Sequence, residues 1–71
     1  MKLVINGKDV QSKDNLSVTE LFAEQEIEKP DMVSVEVNGS ILRRTEFDNT
    51  NLKEGDKVEI FYFMGGGSGA N

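Results

Sequence analysis

The first residues of the chain show a hydrophobic pattern typical of a strand that ends in a tight turn. Met1, Leu3 and Ile5 share one face of an extended segment, and Asn6 and Gly7 follow at once. Asn-Gly is the pair most typical of a type I′ turn, because both central residues of that turn have positive φ. The apolar alternation resumes after the turn, so the pattern predicts a β-hairpin.

A short helix is predicted after the hairpin. Ser17 and Glu20 have the spacing of a capping box, in which the serine side chain and the glutamate side chain each accept a hydrogen bond from the other's backbone amide. Four apolar residues are expected to form its buried stripe: Val18, Leu21, Phe22 and Ile27. Lys29 precedes Pro30, and a residue before proline disfavours helical angles, so we expect the helix to end there.

The second half of the chain predicts three strands. Val33, Val35 and Val37 alternate with polar residues, and a second Asn-Gly pair at 38–39 leads to a short apolar segment. The longest strand covers residues 57–64. Its residues expected to face the helix are Val58, Ile60, Tyr62 and Met64. Two residues of the preceding polar stretch are expected to anchor it to the core: Phe47 and Leu52.

This order of elements fits an α+β fold, with one main helix across one face of a mixed sheet of four or five strands. The first and last strands can pair at the centre of the sheet, as in a β-grasp (ubiquitin-like) domain. We expect residues 1–64 to form this domain and residues 65–71 to form a flexible, glycine-rich C-terminal tail.

Two aromatic residues of the final strand are predicted to point away from the helix. If the alternate residues face the core, Phe61 and Phe63 lie on the opposite face. Together with Met64 they would form an apolar surface beside the glycine-rich tail, which suits docking of a partner protein. The alternative is that loop residues cover both rings.

Composition narrows the possible functions. The chain has 71 residues, no cysteine and no histidine, and a formal net charge of −5. The missing residue types exclude disulfides, thiolate nucleophiles, the usual zinc sites and histidine acid–base chemistry. Nucleic acid is not an expected partner, because phosphate binding needs clustered Lys and Arg. No segment reaches the ~18 apolar residues of a membrane span, so we expect a cytoplasmic protein with no membrane partner.

One paired basic site, Arg43 and Arg44, interrupts this acidic composition. It could contact an acidic partner or a nucleotide phosphate on a partner enzyme. A solvated strand end is the interpretation that we favour, because exposed charges of this kind contribute little to binding or stability by themselves.

A run of glycine near the C-terminus suggests chemistry on the chain's own carboxylate. The run comprises Gly65, Gly66 and Gly67. Without Cβ atoms it is thin and flexible enough to enter a narrow cleft of another protein. Four residues follow it: Ser68, Gly69, Ala70 and Asn71. While attached they would cover the Gly67 carboxylate, so they are either left from cloning, or removed by a peptidase, or a sign that this chemistry has been lost.

Four segments of the chain resemble the ThiS family, the sulfur carriers of thiamine biosynthesis. They are residues 3–7, 35–39, 52–60 and 63–67. The glycine ending is the most similar segment, and the resemblance extends over essentially the whole chain up to Gly67. It implies a ubiquitin-like β-grasp fold.

The resemblance also implies a reaction at Gly67. In that family a partner enzyme uses ATP to adenylate the terminal glycine, and sulfur then replaces AMP to leave a thiocarboxylate. The sulfur is donated to the thiazole ring of thiamine. Gly65 and Gly66 would be the residues that thread into the partner. The chain would be a protein co-substrate rather than an enzyme, with no cofactor of its own.

The partners implied by the resemblance are an E1-like adenylating enzyme of the ThiF type, a thiazole synthase of the ThiG type and a sulfur donor such as a cysteine desulfurase. Two alternatives stay open. Molybdopterin-type sulfur carriers share the Gly-Gly ending, and a ubiquitin-like protein modifier or interaction module would share the fold, because one fold supports many functions.

Overall fold

The computed structural model describes residues 1–62 of the chain. Five strands and one α-helix are present in this part, namely β1 (Lys2–Ile5), β2 (Lys8–Gln11), α1 (Val18–Glu24), β3 (Val33–Val37), β4 (Ser40–Leu42) and β5 (Lys57–Tyr62). Short 3₁₀ turns lie at Pro30–Met32 and Arg44–Glu46. The predictions made for Phe63, Met64 and the tail fall outside the described residues.

Both predicted Asn-Gly turns are confirmed. Asn6 and Gly7 join β1 to β2 and have φ values of 49° and 83°. Asn38 and Gly39 join β3 to β4 with φ values of 52° and 86°. Positive φ at both central residues is the signature of a type I′ turn, whose twist matches that of the flanking strands.

The strands form one mixed sheet in the order β2-β1-β5-β3-β4. The outer pairs and the β3–β5 pair are antiparallel, whereas β1 and β5 are parallel. The first and last strands therefore lie side by side at the centre, as the sequence predicted for a β-grasp domain. Because β5 is central, backbone hydrogen bonds can hold it from both sides.

The helix α1 covers one face of this sheet and encloses the core. The buried core residues are Leu3, Val18, Leu21, Phe22, Val33, Val35, Phe47, Leu52, Val58 and Ile60. The rings of Phe22 and Phe47 meet edge to face, with centroids 5.6 Å apart and planes at 89°, a favourable aromatic arrangement. The predictions that Phe47 and Leu52 anchor their loop to the core are confirmed.

The predicted start of the helix is also confirmed. The Glu20 amide donates to the Ser17 hydroxyl oxygen at 3.1 Å, and the Ser17 amide donates to the Glu20 carboxylate at 2.9 Å. This capping box satisfies two backbone donors that would otherwise lack partners at the end of a helix.

The predicted end of the helix is wrong. The helix stops at Glu24, well before Lys29, because Glu26 adopts a left-handed conformation with φ of 55°. The amides of Glu26 and Ile27 then donate to the carbonyls of Ala23 and Phe22 at 3.2 and 2.9 Å. These two hydrogen bonds form a Schellman motif, which can end a helix without a proline. Ile27 thus packs against the core from outside the helix.

Candidate functional site

The end of the described part of β5 is the natural candidate site, because Tyr62 is the described residue nearest in sequence to the glycine run. Val58 and Ile60 are buried beneath α1, whereas Phe61 points to the other side and exposes 47% of its surface. The predicted outward orientation of Phe61 is therefore confirmed. Phe63 and Met64, the other residues of the predicted docking surface, lie outside the described residues.

The prediction that Tyr62 lies on the same face as Ile60 is confirmed, but its side chain is not buried there. Its register places it on the same side as Ile60, yet it exposes 47% of its surface. The helix stops at Glu24 and leaves this end of the sheet to the following loop. Tyr62 reaches that loop through its hydroxyl, which donates to the carbonyl oxygen of Glu28 at 2.8 Å. The contact ties the end of β5 to the connection between α1 and β3.

The side of the sheet away from α1, which we call the outer face, carries apolar, acidic and basic residues, among them Lys57. Phe61 lies opposite Ser34, and Glu36 lies opposite both Glu59 and Ile41. Directly paired residues share a face, so these side chains form one continuous surface across the last three strands. Ile41 exposes 74% of its surface. The outer face therefore combines two exposed apolar side chains with two carboxylates between them.

The two carboxylates of the outer face are neighbours of like charge. Glu36 and Glu59 are directly opposite on antiparallel strands and partly buried. Within residues 1–62, the ion pairs are those of Met1 with Asp14 and of Lys2 with Asp9, and neither involves these glutamates. Like charges at directly opposite positions destabilise a sheet. The charges of this pair therefore do not stabilise the sheet.

Two asparagine side chains bind the backbone of β5, and no sequence pattern predicted these contacts. Asn6 accepts the Ile60 amide at 2.7 Å and donates to the Ile60 carbonyl at 3.3 Å. Asn38 accepts the Lys57 amide at 3.0 Å and donates to the Asp56 carboxylate at 3.0 Å. The two Asn-Gly pairs in the sequence predict turns and nothing about β5. The order of the strands in the sheet places both turns beside β5.

The paired arginines differ from each other in the structure. The Arg44 guanidinium donates to the carbonyl oxygens of Pro30 and Val33 at 3.3 and 3.0 Å. Arg44 thus stabilises the 3₁₀ turn that precedes β3, which is more than the solvated strand end expected from the sequence. Arg43 is exposed and caps the next 3₁₀ turn through its amide, which donates to Glu46 at 2.8 Å.

The part of the chain that the structure describes contains no pocket. It also contains no helix that is long and apolar enough to cross a membrane. The candidate sites within the described residues are two surfaces, namely the outer face and the end of β5. The predicted reaction site Gly67, the threading residues Gly65 and Gly66, and residues 68–71 all lie beyond the described residues.

A comparison with known protein families identifies the family to which this chain belongs. The family model of the ThiS family matches residues 3–67, which is nearly the whole sequence. The chain belongs to the ThiS family. The matched range ends at the third glycine of the run and leaves out the four residues that follow it.

Two curated relatives differ in size. The sulfur carrier protein ThiS of Bacillus subtilis is 36% identical over 66 residues, which are 92% of this chain and 98% of that protein. A thiazole synthase of Paramagnetospirillum magneticum is 37% identical over 68 residues, which are 96% of this chain. This chain spans only 21% of the length of that thiazole synthase.

Two solved structures confirm the fold. The crystal structure of the thiamine biosynthesis protein ThiS from Geobacter metallireducens is 45% identical, with a TM-score of 0.86, over 94% of this chain and 100% of that one. The solution structure of a thiamine biosynthesis protein from the same organism is 46% identical, with a TM-score of 0.76, over 96% of this chain and 90% of that one. The predicted α+β, ubiquitin-like β-grasp fold is thus confirmed.

Proposed function

We propose that this chain is a sulfur carrier of thiamine biosynthesis and that the carboxylate of Gly67 carries the sulfur once residues 68–71 are absent. The observation that supports this most strongly is the family match, which ends at Gly67 itself. The relative named as a sulfur carrier aligns over 98% of its own length, so the similarity concerns a whole carrier and not a fragment of one.

The chemistry at Gly67 requires activation, because a carboxylate is a poor electrophile. Its oxygen attacks the α-phosphorus of ATP, pyrophosphate leaves, and a mixed anhydride with AMP forms. A sulfur nucleophile then attacks the glycine carbonyl carbon, a C–S bond forms, and AMP leaves. When the nucleophile is a persulfide, a thiol reductant cleaves the S–S bond and leaves the thiocarboxylate on Gly67.

This chemistry divides the work between the chain and its partners. The chain would present the glycines from the end of β5, with Gly65 and Gly66 entering the partner's cleft, because a run without side chains is thin and flexible. Catalysis, and the binding of ATP, would belong to an E1-like adenylating enzyme. The chain would have no resident cofactor and would act as a co-substrate rather than as an enzyme.

A thiazole synthase is the proposed acceptor of the sulfur. A segment similar to this chain occurs within one protein named thiazole synthase, which supports a functional connection between the two. The adenylating enzyme, a cysteine desulfurase as sulfur donor, and a cytoplasmic location follow from the family resemblance and stay predictions.

The proposed docking surface for these partners is the outer face at the end of β5. Phe61 is exposed there and lies three residues before the position of Met64, with Phe63 between them. The acidic pair Glu36 and Glu59 lies beside it. An exposed aromatic side chain next to carboxylates suits a partner with an apolar pocket and a basic rim, since aromatic anchors contribute most to interfaces and charges steer the encounter.

The test is the intact mass of a chain that ends at Gly67, incubated with an adenylating enzyme of the ThiF type, ATP and a sulfur source. The buried core residues that the structure describes lie between Leu3 and Ile60, and a chain that ends at Gly67 keeps all of them. We expect a product in which one oxygen is replaced by sulfur. The matched control is the chain of 71 residues, which should remain unchanged because residues 68–71 cover the Gly67 carboxylate.

Two outcomes would contradict the proposal. One is an unchanged mass for the chain that ends at Gly67, with an enzyme that converts another carrier of the family in the same assay. The other is the appearance in cells of isopeptide-linked conjugates in place of the thiocarboxylate, which would make the chain a protein modifier.

A further inference from the structure

The side chain of Asn6 completes the sheet at the point where β1 ends. Backbone pairing between β1 and β5 covers Val4 with Lys57 and Ile5 with Val58, and the Asn6 amide then donates to the Val58 carbonyl at 2.9 Å. The chain turns away from β5 immediately afterwards. The side-chain amide of Asn6 continues the ladder by binding both the N–H and the C=O of Ile60.

This side chain therefore gives Ile60 the acceptor and the donor that a continued parallel strand would supply from two of its residues. A backbone partner would also offer one donor and one acceptor to β5. Asn6 can do this only because it takes positive φ in the turn, a conformation that asparagine tolerates better than most residues with a side chain. The two bonds are the last contacts from the β1 side that the described residues make with the backbone of β5.

Beyond Ile60, β5 is held from other directions. Phe61 pairs with Ser34 of β3, and the Tyr62 hydroxyl binds the carbonyl of Glu28. Without Asn6, the last residues of β5 would be held from the β3 side and by one tyrosine bond. Residues 60–62 would then be free to tilt out of the sheet, which would change the position and direction of Tyr62, the last described residue before the glycine run.

We propose that Asn6 is a positioning residue, which holds the end of β5 so that the glycines leave the sheet in the direction required by the adenylating enzyme. The inference rests on the proposed function at Gly67. An ordered exit lowers the entropy lost when the tail enters a cleft, and pre-organisation of this kind increases affinity without any new contact. Asn6 itself touches no reacting atom.

Asn38 provides a matched control. It occupies the same position in the second Asn-Gly turn, has nearly the same φ, and also uses its side chain to bind two groups, one of them the Lys57 amide at the start of β5. Asn6→Gly and Asn38→Gly each remove two side-chain hydrogen bonds while keeping positive φ accessible. The bonds of Asn6 are partly buried and those of Asn38 are exposed, so Asn6→Gly should lose more stability, and the two variants release opposite ends of β5.

The experiment measures adenylation of chains that end at Gly67 by an adenylating enzyme of the ThiF type, through the release of pyrophosphate. For Asn6→Gly we expect the KM for the carrier to rise about threefold to tenfold, which matches the loss of one or two hydrogen bonds, while kcat stays the same. Asn38→Gly should leave KM unchanged. Asn6→Asp keeps the acceptor for the Ile60 amide but places a carboxylate oxygen beside the Ile60 carbonyl, so its KM should also rise.

Equal KM values for Asn6→Gly and Asn38→Gly would overturn the inference, whether both rise or neither does. A second measurement is independent of the enzyme: native-state hydrogen exchange at the amide of Phe61, which should become faster in Asn6→Gly and not in Asn38→Gly. If wild type is not adenylated, the proposed function fails, and this exchange rate still decides whether Asn6 holds the strand end. No acceleration at Phe61 would overturn the inference.

Discussion

The two faces of the sheet differ in how completely other parts of the chain cover their side chains. Beneath α1, the core residues interlock, and Leu3, Leu21, Val35 and Val58 expose none of their surface. On the outer face, Ile41 and Phe61 expose 74% and 47% of theirs. The fold itself buries the residues of the inner face, whereas Ile41 and Phe61 leave much of their surface accessible to a partner.

The largest expected effect is on the inner face, at the centre of α1. Leu21 is fully buried, so Leu21→Ala removes buried methyl groups and leaves a cavity, at a cost of about 2–5 kcal/mol. A core of this size supplies only about 3–5 kcal/mol of net stability. We expect a large fraction of the variant to be unfolded at 25 °C, which circular dichroism in a urea titration would show.

The matched control for Leu21→Ala is Ile41→Ala, which also shortens a branched aliphatic side chain but on the outer face. Because Ile41 is mostly exposed, the free energy of unfolding should change by less than about 0.5 kcal/mol. Similar losses for the two variants would mean that the outer face contributes to the fold as the inner face does, and the contrast between them would disappear.

Local sequence signals predicted the features that depend on neighbouring residues. The capping box of Ser17 and Glu20 and the two Asn-Gly turns follow from backbone geometry over a few residues, and all three are confirmed. The alternation in β3 and β5 predicted the buried faces correctly up to Ile60. These signals are reliable because the strand and helix periods fix which side chains share a face.

The features that the sequence did not predict depend on contacts between distant residues or on rare backbone conformations. The helix ends at a left-handed glutamate, Glu26, where glycine or asparagine is the usual signal. The shorter helix then leaves Tyr62 exposed. The bonds between Asn6 and Ile60 join residues 54 positions apart, so no local pattern could reveal them. Phe61 was correctly placed on the outer face because strand alternation alone determines its side.

A smaller effect, mainly on binding, is expected for Phe61→Ser. Phe61 is half exposed on the outer face, so its loss should lower the free energy of unfolding by only about 1 kcal/mol. If its ring fills a pocket of the adenylating enzyme, the binding free energy should weaken by about 1–2 kcal/mol, as for aromatic anchors of interfaces. Isothermal titration of chains that end at Gly67 would measure this.

The control for Phe61→Ser is Ile41→Ser, on the same face but on β4, further from the end of β5. We expect this variant to bind with nearly the affinity of wild type. Unchanged affinity in Phe61→Ser would remove Phe61 from the docking surface. An equal loss in both variants would extend that surface across the whole outer face.

The smallest effect, and the one of opposite sign, is expected at the like-charged pair. Glu36→Lys places a cation directly opposite Glu59 and converts a repulsive cross-strand pair into an attractive one. We expect the free energy of unfolding to rise by about 0.2–1 kcal/mol at low salt, and the rise should shrink as salt screens the charges. Thermal unfolding at two salt concentrations would measure it.

The control for this last variant must carry the same change in net charge without a facing carboxylate. Glu28→Lys does so, because Glu28 is exposed in the loop after α1 and contributes its backbone carbonyl, not its side chain, to the contact with Tyr62. An equal rise in Glu28→Lys would assign the gain to net charge alone. If only Glu36→Lys is more stable, then repulsion between Glu36 and Glu59 reduces the stability of the free chain. If this variant also associates more slowly with the adenylating enzyme, then the same charges speed the approach of a basic partner.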